Sequence, residues 1–114
     1  MSEEKVFDYS VTGRPQDVVS TVLRKISAFT REHQTRRFKI GITNNPKRRF
    51  NKGHKFNYDE MIVVYSSKAY NSVCELEREL VEHNKGLADN LIGGGGGRKG
   101  TPPYFMYVVI KHKS

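Results

Sequence analysis

Glu77 is an acid on an apolar stripe. Residues 72–84 read SVCELERELVEHN, and at the α-helical period Val73, Leu76, Leu80 and Val81 fall on one face. Glu77 lies inside that face, flanked by Val73 and Val81 on the adjacent turns. Glu75, Glu79 and Glu82 point the other way, where solvent accounts for them. A carboxylate on a packed face is costly unless a cation pairs with it or a metal takes it as ligand. Glu77 therefore calls for a structural arginine or lysine, or for a divalent cation bound through oxygen.

The segment KIGITNNPKRRF, residues 39–50, offers complementary chemistry. A glycine inside a strand, here Gly41, leaves room for another group to approach the backbone. Lys39 shares the face of Gly41, so its ammonium can project over that gap. Arg49 follows Gly41 by eight residues, in the first turn of the next helix. A guanidinium there can meet a phosphate with its bidentate fork, aided by the positive end of the helix dipole. Hydrolysis of a phosphodiester needs a cation on the phosphate, a deprotonated water and stabilisation of the charge gained in the transition state. Arg49 suits the phosphate, Glu77 suits a partly hydrated Mg2+ or Mn2+, and Lys39 or a tyrosine suits the water. Lys47, Arg48, His54 and Lys55 line up as contacts to a nucleic-acid backbone, and so do Arg98 and Lys99 after the glycine run. The plainer reading of Arg48 is an exposed basic helix face, and that of His54 an exposed loop histidine.

These residues need elements to hold them. KVFDYSV (5–11) reads as a short strand. Val18, Val22, Ile26 and Phe29 recur at helical spacing over residues 16–33, and Pro15 suits the first turn. Residues 37–43 alternate, with Phe38, Ile40 and Ile42 on one face and Lys39, Gly41 and Thr43 on the other, as in a half-buried strand. Asn45 is an N-cap and Pro46 a first helical residue. A basic loop is expected over 53–57, a buried strand at MIVVY (61–65) and another at YFMYVVI (104–110). Ser72 and Glu75 have the spacing of a capping box. Tyr65, Phe105 and Tyr107 read as strand core. The five glycines at 93–97 are a loop that fails the phosphate-loop pattern, since Thr101 stands where its lysine belongs. The expectation is one α+β domain over 1–114, a small mixed or antiparallel sheet of three or four strands flanked by helices.

Composition narrows the partners. The 114 residues carry 20 Lys and Arg against 12 Asp and Glu, a net charge of +8. That excess favours a polyanion, nucleic acid first. The single cysteine, Cys74, excludes an intrachain disulfide and suits a reducing compartment. No membrane span or signal peptide is legible, so a soluble intracellular protein of cytoplasm or nucleus is expected.

KIGIT followed by NNPKRRF resembles the second signature strand of the GIY-YIG nuclease superfamily and the arginine helix after it. LERELVEHN is similar to the family's later helix, whose Leu-Glu pair carries the metal-binding glutamate, here Glu77. The resemblance covers residues 37–110. It implies a GIY-YIG-like fold, Arg49 on the scissile phosphate, and a supporting asparagine at Asn90, with Asn84 as rival. Lys39 stands in place of the second tyrosine, as in restriction-type members. No GIY tripeptide lies upstream, and Tyr9, the one tyrosine before Lys39, is the candidate for handling the water. The implied function is a divalent-metal-dependent endonuclease acting on DNA, and a domain this small would cut both strands as a homodimer. The alternative is a nucleic-acid-binding module on the same scaffold without catalysis. A third reading is a basic protein-interaction domain in which Glu77 pairs with a buried arginine.

Overall fold

The computed structural model describes residues 5–32, 35–54, 56–84 and 100–112. Strand β1 (Val6–Val11) leads through Gly13 into helix α1 (Pro15–Glu32). Strand β2 (Thr35–Thr43) runs into the short helix α2 (Pro46–Arg49), which continues as one π-helical turn, Phe50–His54. Strand β3 (Glu60–Ser67), helix α3 (Tyr70–His83) and strand β4 (Tyr104–His112) complete the order. The four strands form one mixed sheet in the order β1-β3-β4-β2. β4 pairs antiparallel with both β2 and β3, while β1 pairs parallel with β3. The fold is therefore α+β, with four strands among the described residues.

The period-2 alternation of β2 divides the molecule as its sequence demands. Phe38, Ile40 and Ile42 join Ile62, Val64, Val108 and Ile110 on one face, where Val22 and Ile26 of α1 and Val73, Leu76 and Leu80 of α3 pack on them. Burying each such side chain contributes roughly 1.5–3 kcal/mol, so this face supplies most of the stability. The second face is thin. Phe50, Tyr58, Met61, Tyr107 and Val109 form its cluster, with α2 and the π turn as cover rather than a long helix.

Two local expectations give way to tertiary packing. The Ser72–Glu75 capping box does not form: α3 begins at Tyr70 with Ala69 as N-cap, and no side chain caps it. Tyr70 lies edge-on to Tyr104 at 5.2 Å, and that contact with the core extends the helix past the local cap. Gly53 and His54, at the start of the expected basic loop, are instead the end of the π turn Phe50–His54. No helix of the described residues is long and apolar enough to cross a membrane.

Candidate functional site

The strand-to-helix turn after β2 is fixed by its own side chains. Asn45 Oδ1 accepts from the Arg48 N–H at 3.2 Å, the Asn45 N–H donates to Thr43 Oγ1 at 3.0 Å, and Pro46 opens the helix. Arg49 is thereby held at the last position of α2, half-buried. In the π turn that follows, residue i approaches residue i+5 rather than i+4. Arg49 immediately precedes this turn and His54 ends it, and the Arg49 charge acts on His54.

Gly41 and Tyr107 are register partners on β2 and β4. A Cβ on Gly41 would come within 2.5 Å of the Tyr107 Cζ, so the glycine is what admits the phenol ring. The gap expected to lie beneath Lys39 is filled by Tyr107 instead. The Tyr107 hydroxyl then reaches His54 Nε2 at 2.9 Å. His54 is not the exposed loop residue expected. It is 8% exposed, with Tyr58 edge-on at 5.8 Å.

The electrostatics tie five residues together. Burial, then the charges of Lys39 and Arg49, push the His54 imidazole down to about 4. Burial pushes the Tyr107 phenol up to about 12; Arg49 pulls it down and Glu77 pushes it further up. At neutral pH the imidazole is therefore uncharged and the phenol keeps its proton. An open cleft of about 530 Å³ is lined by residues that include Asn44, Asn45, Arg48, Arg49, Lys52 and Gly53; His54 and Tyr107 do not line it, and Arg49, whose charge acts on both, links it to the pair. One wall is tied by Asn44, whose Nδ2 donates to the Thr101 carbonyl at 3.3 Å. Gly100 has φ +88° and leaves the space that Asn44 occupies.

Glu77 is fully buried, as its stripe implied. The other inward residues of α3 belong to the helix-covered face, yet the charge of Glu77 is felt by Tyr107 on the second face. Among the described residues no group of three or more His, Cys, Asp and Glu converges as a metal site. Lys39 is half-buried beside His54, and Arg48 is exposed on the cleft. Lys47 is exposed.

Tyr9 is not brought to the site. It lies on β1, at the sheet edge opposite β2, 52% exposed, with its ring tilted against Phe29 at 5.5 Å. Asn84 ends α3, its Nδ2 donating to the Leu80 carbonyl at 2.7 Å. Lys55, Asn90, Arg98 and Lys99 lie outside the described residues. Sequence reasoning missed the Tyr107–His54 pair. The available signal was Gly41 itself, since a strand glycine with one apolar and one polar face implies an occupant above it. No known protein family, curated protein or solved structure matches the chain.

Proposed function

We propose that the chain is a divalent-metal-dependent endonuclease of GIY-YIG type that hydrolyses phosphodiester bonds in DNA. The observation that carries the reading is the Tyr107–His54 hydrogen bond over Gly41, set within the fields of Arg49 and Lys39. The fold order adds support. A signature tyrosine about ten residues upstream of β2 would sit on a hairpin partner antiparallel to it. β4 is the strand that pairs antiparallel with β2, and it carries Tyr107 opposite Gly41. In this reading Tyr107, from the last strand, takes the part expected of Tyr9.

Arg49 and Lys39 bind the non-bridging oxygens of the scissile phosphate, with Arg48 and Lys52 along the cleft. Tyr107 orients the attacking water and takes its proton while passing its own to His54 Nε2, in the tautomer protonated on Nδ1. The resting values, about 12 and about 4, keep that proton on the phenol. Burial is the larger cause of the low His54 value, but a bound phosphate neutralises the two cations that add to it and so makes the imidazole a better acceptor. Glu77 offers the hard oxygen that Mg2+ or Mn2+ takes, and magnesium needs only one or two carboxylates beside water and phosphate. Such an ion would polarise the phosphate.

A second reading, a binding module without catalysis, is favoured by one observation: Glu77 has no exposed surface, so a hydrated cation reaches it only if α3 yields. Cleavage of supercoiled plasmid by Glu77→Gln and Arg49→Ala separates the two. The nuclease reading expects both variants to lose cleavage while keeping the wild-type melting temperature to within a few degrees. Full activity in both sinks it.

A further inference from the structure

Phe56 is the most exposed large apolar side chain described, at 85%, against 52% for Tyr9. A lone exposed apolar residue is ordinary on a protein surface; its position is what gives this one meaning. The Asn57 and Tyr58 N–H groups both donate to the His54 carbonyl at 2.9 Å, so Phe56 and Asn57 lie in a tight turn that closes on His54. One end of the turn is His54, the partner of Tyr107. The other is Tyr58, buried beneath Arg37, whose guanidinium carbon lies 5.4 Å from the ring centroid. Lys52, two residues before His54, lines the cationic cleft. The exposed ring therefore stands four residues after Lys52 of the cleft and two before Tyr58, the ring that Arg37 of β2 covers. Alternating cations and an aromatic face are what a nucleic-acid strand with splayed bases requires: the cations follow the phosphates and the ring stacks on a base. A paired base hides its faces in the duplex stack, whereas an unpaired one offers them. The cleft, about 530 Å³, is of small-ligand size and suits a nucleotide or two rather than a duplex.

We infer that Phe56 is a stacking platform for an unpaired nucleobase next to the phosphate held by Arg48, Arg49 and Lys52, so that the substrate is DNA with single-stranded character at the site. This rests on the nucleic-acid reading above and specifies the substrate class.

The chain has no tryptophan, so Phe56→Trp installs a single tryptophan at the platform, excited selectively at the red edge where tyrosine does not absorb. The probes are a single-stranded oligonucleotide of about a dozen nucleotides and a closed duplex of the same sequence, each dye-labelled for anisotropy. The expected result is quenching of Trp emission by the single strand that saturates with the anisotropy signal. In the otherwise native chain, Phe56→Ala weakens single-strand binding roughly tenfold. Its duplex binding and melting temperature stay unchanged. Binding with unquenched emission, or equal losses for both probes in Phe56→Ala, overturns the inference alone. Absence of binding by the wild-type chain to either probe overturns the nucleic-acid reading, and the inference with it.

Discussion

The two faces of the sheet are built to different ends. The face under α1 and α3 is apolar and sealed: Val22, Ile40, Leu76, Leu80 and Ile110 have at most 1% exposure. The opposite face keeps a smaller apolar floor and places over it a phenol, an imidazole and two cations whose charges act on one another. The first face can lose its detail and keep its purpose, because burial is non-directional. The second depends on the positions of a few atoms. Glu77 is the exception that joins them, an acid of the sealed side whose charge reaches the phenol of the other.

A substitution on each face separates stability from chemistry. Leu80→Ala leaves a cavity in the sealed face and is expected to cost about 2–5 kcal/mol. Chemical denaturation should register that loss while cleavage per folded molecule stays at the wild-type level. Gly41→Ala strikes the other face, driving a methyl group into Tyr107. The stability loss is expected to be smaller, about 1–3 kcal/mol. Displacing the phenol should nonetheless lower cleavage on the order of 100-fold, as expected for a misplacement near 1 Å. Equal effects of the two substitutions on cleavage per folded molecule would erase the distinction between the faces.

The pH dependence of stability sharpens the same contrast with a smaller effect. His54 titrates at about 4 in the folded chain against 6.5 when unfolded. Between those values the unfolded state binds more protons, so stability is full above pH 6.5 and falls as pH drops toward 4. Asp59, held below its usual 3.8 chiefly by the His112 N–H, adds a loss only at lower pH. His54→Gln should therefore flatten the melting temperature between pH 6.5 and 4 and leave the more acidic limb in place. An unchanged slope in that window would mean that His54 is not held neutral by the site.

Local pattern carried much of this architecture. The alternation of residues 37–43 separated the faces, Asn45-Pro46 marked the start of α2, and the stripe around Glu77 showed a buried acid. The strand pairing was not legible. Tyr107 meets Gly41 across 66 residues of chain, and β4 is buried on both faces, so its own sequence has no alternation to say which side matters. His54 was hidden by the π turn, because polar residues beside a glycine read as loop until packing closes them over Tyr107. Tyr9 failed for a topological reason: β1 pairs with β3, two strands away from β2. The Ser72 cap failed because an aromatic contact at Tyr70 outweighs a hydrogen bond worth about 1 kcal/mol.

The central claim is that Tyr107, from the end of the chain, works with Arg49 in hydrolysing a phosphodiester. Its most direct test is the nicking of supercoiled plasmid in Mg2+ or Mn2+ by wild type and by Tyr107→Phe. The substitution removes one oxygen and keeps the ring over Gly41. Metal-dependent nicking by the wild type, reduced roughly 100- to 10,000-fold in the variant with unchanged DNA affinity, is the predicted result. Nicking undiminished in Tyr107→Phe, or no nicking by the wild type, would contradict it.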